Sequence, residues 1–518
     1  MLLLDNYEVS IYPNVTRSVS AKFVSYAMDL SADRGFFRRD LGNRKLQWLA
    51  SQLAPAYVRF SGTGGDRMYY DWGSGGDCPG PPLPKCWDAS RVSDGRKSKP
   101  QCLTKPKWAS IVDFANNTGA DLVFGLNGYF LNDDFVEEAS KSGGVFAFLV
   151  GNEMFQAAEK DDAGACVATQ ARNSNELYER FSSGGGGENK NIRLAGPDSG
   201  GDIHGEYLRQ LTVPLFAYLT HDYAIDSRLE LGNYMPPKRL LLNGKDKHQW
   251  RADLDAYGFQ DTELWVGEGG GITSGGQRGV TDSFASGQWF LDSLGVYARS
   301  GVDVFCRQDL VGANYGLLRD GCPFAGMDKA QPQCDFDDKD PEPNPDYWNA
   351  LLWKRIMGNN VLEVKTKKSF LRAYAHCDEN KPVSLVLINT HCCATANVTV
   401  VIHDLERRGG RRLDWYLTPG GADSEDLRRR RLLDRGRGAA AMETRLNGAL
   451  LQIVERRKNQ NHLVGDENRR GKKWKLPSLE GKKATMDDDI RIPPQAYAFF
   501  AFPDVPPDFC GVPPARVV

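Results

Sequence analysis

A chain of 518 residues, 41% hydrophobic and 25% charged, has an ordinary globular composition and enough length for one large core plus a smaller one. Its formal net charge of −2 offers no global field that would favour nucleic acid or another polyanion. No apolar run approaches the roughly 20 residues that span a bilayer, so no transmembrane segment is expected.

In chain order, residues 5 to 13 alternate loosely between apolar and polar and read as an isolated strand. From about residue 20 to 360 the pattern changes to short apolar runs that stop at polar or glycine-containing steps: "AYVRFSG", "DLVFGLNGYF", "GVFAFLVGNE", "IRLAGPD", "FAYLTHDYA", "TELWVGEGG" and "VDVFCRQD". Amphipathic helical segments lie between several of them, including "RKLQWLASQL", "GEYLRQLTVPLF" and "TDSFASGQWFLDSLGVYARS". Strand and helix in alternation imply a parallel sheet, and this many units favour closure into a (β/α)8 TIM barrel, with the eighth strand inferred. After residue 365 the helices fade. "LRAYAHC", "VSLVLINT", "NVTVVIHDL", "RLDWYLTP", "ALLQIV" and "QAYAFFAFP" read as strands of a β-sandwich. The expected domains are a barrel over 17–365 and a sandwich made from 1–16 plus 366–518. The arginine-rich run over 428–437 and the lysines over 472–483 read as solvated insertions, with sulfated-glycan binding as the alternative.

Barrel enzymes carry their chemistry at the C-terminal ends of the strands. The carboxylates at such ends are Glu153, Asp198, Glu268 and Asp309. Glu153 and Glu268 stand apart because each follows a strong apolar strand through a small-residue step, "GNE" and "VGE", where glycine permits close approach. Two carboxyl groups are what glycoside cleavage needs: one protonated to assist the leaving oxygen, the other ionised to attack or to direct water. Among the 11 cysteines, "HCC" at His391 to Cys393 is too compact for a tetrahedral zinc site and reads as a strand segment. No metal and no cofactor is expected. "FSSGGGGENK" lacks the pattern of a phosphate-binding loop, which argues against an oxidoreductase.

The ordered set "LAPAYVRFSGTGGD", "DLVFGLNGYF", "VGNE", "RLAGPDSG", "YLTHDY", "LWVGEGGGITSGG", "TDSFASGQWFLDSLG", "VFCRQDLVGANYGLL" and "PNPDYWNALLWKRIMG" resembles the heparanase-type members of glycoside hydrolase family 79. The likeness resumes in "LRAYAHC" and "TRLNG" and ends near "QAYAFFAFP", so it spans almost the whole chain. It implies a barrel with a sandwich that takes up an early N-terminal strand, and a retaining β-glucuronidase, endo or exo. Carried over, Glu153 is the general acid/base and Glu268 the nucleophile. Asn152 positions the donor-side sugar, and Asp29, Thr63, His221 and Tyr223 fall at substrate-contacting positions, His221 equally suited to a supporting role. Tyr315 with Gly275 and Gly276 resembles the region that holds a uronic-acid carboxylate, and Arg307 and Gln308 support the nucleophile. The implied partner is a uronic-acid-containing glycan or β-glucuronide, with a single-chain monomer expected.

The chain departs from that pattern in four places. Met154 stands where the family has proline, the segment over 132–144 is short for the helix that precedes the Glu153 strand, and "GANY" lacks a glycine. Asp202 and Glu206 occupy a segment where sulfate recognition calls for basic donors. A less sulfated glucuronide therefore fits as well as heparan sulfate, and a catalytically impaired glycan-binding homologue is the rival reading. The family implies a Cys377–Cys510 disulfide, and local bridges are expected among Cys78, Cys86 and Cys102 and between Cys322 and Cys334. Sequons at Asn14, Asn116 and Asn397 add to a secreted or lysosomal/vacuolar expectation, membrane-associated at most, with the leader missing from this chain.

Overall fold

The computed structural model describes residues 6–31, 35–71, 101–129, 131–141, 144–154, 163–182, 193–224, 247–320, 340–391, 393–404, 410–420, 441–456 and 473–511. Cys78, Cys86, Cys322, Cys334 and the arginine-rich run lie outside them. After the N-terminal strand β1 (Asn6–Ser18), eight parallel strands close into a barrel. They are β2 (Val24–Asp29), β3 (Ala56–Ser61), β4 (Ala120–Leu126), β5 (Val145–Val150), β6 (Leu194–Gly200), β7 (Ala217–Tyr223), β8 (Glu263–Gly270) and β9 (Val304–Arg307). A helix follows each in turn: α1 (Arg44–Ser51), α2 (Lys105–Thr118), α3 (Asp133–Lys141), α4 (Ala163–Ser182), α5 (Gly205–Gln210), α6 (Lys247–Ala256), α7 (Phe284–Ser300) and α8 (Pro345–Ile356). The inferred eighth strand is β2, "VSYAMD", buried at every position.

Local chemistry sets the helix ends. Thr104 accepts the Lys107 amide at the start of α2, Pro106 sits in its first turn, and Gly119 closes it at φ 66°. The short segment over 132–144 still forms α3. Phe135, Val136 and Ala139 of that helix are fully buried, and Phe135 stacks on Tyr70 and meets Trp108 edge-on. The barrel wall is therefore covered here.

Alternation along the barrel strands separates two cores. Val58 and Phe60 face the helices, whereas Tyr57, Val123, Ala147, Leu149, Ala195, Ala217, Leu219, Trp265, Val304 and Cys306 fill the barrel interior. This apolar plug closes the lower barrel and leaves its C-terminal mouth to polar side chains.

The second unit is one continuous mixed sheet of eleven strands. Its members are β1, β10 (Asn360–Thr366), β11 (Leu371–Asp378), β12 (Lys381–Asn389), β13 (Ala396–Ile402), β14 (Arg411–Pro419), β15 (Thr444–Leu446), β16 (Ala449–Leu450), β17 (Lys482–Thr485), β18 (Ile490–Ile492) and β19 (Tyr497–Phe502). The N-terminal strand is not isolated, since β1 lies between β10, antiparallel, and β13, parallel. One sheet face encloses its own core of Val9, Ile11, Leu385, Leu387, Phe500 and neighbours, while Tyr374, Val386, Tyr497 and Phe499 join the core of the barrel. Two glycines of α7 allow that contact: a Cβ at Gly287 would strike Tyr497, and one at Gly295 would strike the Tyr374 ring. Asp292 of α7 is held by Arg372 and by the Tyr374 hydroxyl, each at 2.6 Å. Cys377 and Cys510 are bridged. Of "HCC", His391 and Cys393 lie outside any strand, and His391 Nδ1 accepts the amides of Cys393 and Ala394. Cys393 itself is disulfide-bonded. No helix among the described residues is long and apolar enough to cross a membrane.

Candidate active site

At the barrel mouth the interior positions change from apolar to charged. On β3 the inward series Tyr57, Arg59, Ser61 brings a guanidinium to the barrel axis with no exposure to solvent. Arg59 Nε donates to Asp198 Oδ1 at 2.9 Å, and its Nη2 donates to Asn152 Oδ1 at 2.9 Å and to Glu268 Oε1 at 3.1 Å. Ser61 Oγ donates to Asp198 Oδ2 at 2.8 Å.

Two bulges aim the carboxylates inward. Trp265 points into the barrel and Val266 outward, so strict alternation would turn Glu268 outward as well. The register shifts between Val266 and Glu268, which sets Glu268 opposite His221 of β7. Gly267 makes this possible, for a Cβ there would lie 2.8 Å from Leu219 and 2.9 Å from Asp198 Oδ1. On β6 a second shift, between Pro197 and Ser199, coincides with a left-handed Asp198 at φ 60° and swings its carboxylate to Arg59.

Glu153 follows β5 and is also left-handed, at φ 53°, with its amide held by the Asp198 carbonyl at 2.9 Å. For a residue other than glycine this backbone costs on the order of 1–3 kcal/mol and recurs at functional sites. His221 Nδ1 lies 2.8 Å from Glu153 Oε1 and 3.9 Å from Glu268 Oε2, while its Nε2 lies 3.0 Å from Asp198 Oδ1. Tyr223 Oη donates to Glu268 Oε2 at 2.6 Å. Glu153, His221 and Glu268 each offer a donor atom within 4.8 Å of the others. A cation placed among them would meet the Arg59 guanidinium, already bonded to Glu268.

The ionisation states follow from this packing. Burial opposes the charge on His221, but the carboxylates of Glu268 and Asp198 outweigh it and push the imidazole up to about 10. Burial would raise Glu268, yet the positive charges of His221 and Arg59 bring it below its usual range. Asp198 is likewise buried, and Arg59 and His221 hold it well below the ordinary carboxylate range. The mouth thus carries two buried cations facing two buried anions, with Glu153 beside them, its side chain 31% exposed.

Of the residues expected at the site, Asn152, Glu153, His221, Tyr223 and Glu268 converge directly. Gln308 Nε2 donates to Asp29 Oδ2 at 3.1 Å, which joins the ends of β9 and β2. Gly275 and Gly276 take positive φ, and Gly276 faces the ring of Tyr315, whose centroid is 6.4 Å from that of Tyr223. Thr63 is exposed beyond β3. Arg307 lies behind the barrel mouth rather than in it. Val304 and Cys306 point into the barrel, so alternation turns Arg307 outward, onto Asp346 of α8 at 2.9 Å and over the Trp289 ring of α7. It braces the wall behind Glu268 through the Gly269 carbonyl. Arg59 and Ser61 were not anticipated as site residues. A lone arginine inside the apolar run "AYVRFS" was the available signal for the first.

A closed barrel with two carboxyl groups at its mouth defines a glycoside-hydrolase-like fold. Residues 246–295 match the family model described as glycosyl hydrolase family 79, N-terminal domain. The chain is homologous, at low identity, to heparanases and heparanase-like proteins. Heparanase of Bos taurus is 26% identical, across 93% of this chain and 88% of its own. Baicalin-beta-D-glucuronidase of Scutellaria baicalensis is 26% identical, across 74% of each. Heparanase-like protein 1 of Arabidopsis thaliana reaches 31% over 48% of this chain and 42% of its own. Among solved structures, a 4-O-alpha-L-rhamnosyl-beta-D-glucuronidase from Fusarium oxysporum superposes with a TM-score of 0.60 over 96% of this chain and all of its own, at 14% identity. A GH51 arabinofuranosidase from Xanthomonas axonopodis pv. citri gives 0.58 over 96% and 99%, at 10% identity.

Proposed function

We propose that this protein is a retaining β-glucuronidase of heparanase type, with Glu153 as general acid/base and Glu268 as nucleophile. The observation that carries the reading is the approach of the two carboxyl groups to within 4.8 Å. Retaining enzymes hold this pair at about 5 Å, whereas inverting enzymes leave about 6.5–9.5 Å for a water.

The surrounding charges suit the two roles. Arg59 and His221 balance Asp198 and Glu268, so the four buried charges beside Glu153 cancel. His221 engages Glu153 Oε1, which leaves Oε2 to carry the proton to the glycosidic oxygen. Glu268 attacks the anomeric carbon, the C–O bond breaks, and Glu153 delivers its proton to the departing oxygen. Once Glu268 is esterified, its charge is gone and the cluster is positive. Glu153, having given up its proton to the leaving oxygen, takes the proton of the water that releases the sugar. Asn152 has its Oδ1 on Arg59, so its Nδ2 is available to a sugar hydroxyl.

Gly275, Gly276 and Tyr315 form the proposed wall for the uronic carboxylate. Asp202 and Glu206, both exposed, favour a glucuronide of low sulfation. The Cys377–Cys510 bond suits an oxidising compartment, secreted or lysosomal/vacuolar.

Hydrolysis of 4-nitrophenyl β-glucuronide by the purified protein tests the reading. Turnover by the parent and its collapse in Glu268→Gln is the expected result. A folded parent inert on this substrate and on desulfated and sulfated heparan oligomers would put the glycan-binding alternative ahead.

A further inference from the structure

We propose that Asp66 is a positioning residue for the acid/base, acting through the main chain of Asn152; this rests on the functional reading above. Asp66 lies in the single turn after β3 (Gly65–Arg67) and is 2% exposed. Its Oδ1 accepts the amide of Gly128, in the loop after β4, at 2.9 Å. Its Oδ2 accepts the amide of Asn152, in the loop after β5, at 2.9 Å. Its own carbonyl accepts Asn127 Nδ2 at 3.0 Å. One buried carboxylate therefore ties together the loops of three consecutive barrel strands.

Asp66 makes no hydrogen bond to Glu153 or Glu268. Its influence runs through Asn152, whose amide it fixes, whose carboxamide meets Arg59, and whose successor is Glu153 in its left-handed conformation. The Asn152 amide belongs to the 151–152 peptide, while the Asp198 carbonyl holds the 152–153 peptide. Rotation of the first would shift the Asn152 backbone and with it the Glu153 carboxyl, and the second amide bond, to Gly128, fixes the Asp66 carboxylate against such a turn. Burial raises the Asp66 carboxyl to about 7, against the two amide bonds that lower it; Asp198 raises it further and Arg67 lowers it, and the Tyr70 phenol faces it as well. Two backbone amides aimed one at each oxygen require an acceptor at both positions.

The discriminating measurement is leaving-group dependence. A 2,4-dinitrophenolate departs without a proton, whereas an alkyl or sugar aglycone requires one from Glu153. Asp66→Asn replaces one acceptor with an NH2 that opposes an amide N–H. It is expected to lower kcat about 10- to 100-fold on an alkyl β-glucuronide, the scale of a 1 Å misplacement, with KM nearly unchanged. On 2,4-dinitrophenyl β-glucuronide its kcat/KM, which reports formation of the glycosyl-enzyme and needs no proton, should fall by less than about threefold. The quantity compared on the two substrates is kcat/KM, because kcat on this one also reports the hydrolysis step in which Glu153 is the base. Asp66→Glu, which keeps the charge and moves the carboxylate, should show the same split and serves if the asparagine variant does not fold. An equal loss on both substrates, or no loss on either, overturns the assignment. A parent inactive on both substrates instead overturns the glucuronidase reading itself.

Discussion

His221 Nδ1 lies 2.8 Å from Glu153 Oε1 while the opposite ring nitrogen lies 3.0 Å from Asp198, so one imidazole fixes the Glu153 carboxyl against a carboxylate that never meets solvent. With both ring nitrogens carrying protons, the imidazolium donates in both directions. His221→Ala removes the only ring that links Glu153 to the charged cluster. A fall in kcat of about 10²-fold is expected on glucuronides with poor leaving groups. Full activity of that variant would show that Glu153 is held by its backbone alone.

Arg59 is the counter-charge for Asp198 and Glu268 together, with no exposure of its own. Removing one partner from a buried ionic group costs about 3–5 kcal/mol, because the remaining charges are left without compensation. Arg59→Met should lose stability on that scale in a denaturant or thermal melt. The double variant Arg59→Met/Asp198→Asn should recover part of it, a coupling that a double-mutant cycle reads directly. Strict additivity of the two losses would contradict the pairing.

Much of the barrel could be read from the sequence, since a strand buried on both faces is a short apolar run that ends at a polar step. The strand β2 escaped notice because Ser25, Tyr26 and Asp29 dilute that run, although all six positions are buried. Glu153 and Glu268 were legible as strand-end carboxylates, and family resemblance assigned their roles. Their inward aim was not legible, because it depends on shifts of register at Gly267 and Asp198 that alternation alone does not foretell. Alternation does foretell the direction of Arg307, one residue past inward-facing Cys306 and therefore turned to α8. Arg59 and Asp198 are 139 positions apart. No local pattern in the chain joins them; only barrel closure does.

The His221 contribution to stability should be greatest on the acid side of neutrality. His221 is raised from 6.5 to about 10 in the folded protein, so its contribution is complete below 6.5 and is lost as pH rises toward 10. Asp66, raised from 3.8 to about 7, acts in the same sense, its contribution complete below 3.8 and lost as pH rises toward 7. Asp198 and Glu268 are lowered, so their contribution is present above the ordinary carboxylate range and is lost only in stronger acid. Thermal melts from pH 4 to 10 should show the His221 contribution as a decline between about pH 6.5 and 10, offset in part by Lys354, which burial lowers from 10.5 to about 7. The alkaline decline should be shallower in His221→Gln, and an unchanged slope would remove His221 from the account.

Tyr223 separates the tuning of the nucleophile from its placement. Its hydroxyl donates to Glu268 Oε2 at 2.6 Å, and that bond is one of the terms holding the carboxylate below its usual range, after His221 and Arg59. Tyr223→Phe keeps the ring beside Tyr315 and deletes only the donor. The freed Glu268 should bind its proton more readily, so the acid limb of kcat/KM moves to higher pH. The loss of kcat at the optimum should be about 10-fold or more, because the same hydrogen bond orients the attacking oxygen. An acid limb that stays in place while kcat falls would assign Tyr223 to orientation alone. An acid limb that shifts while kcat at the optimum holds would assign it to charge alone.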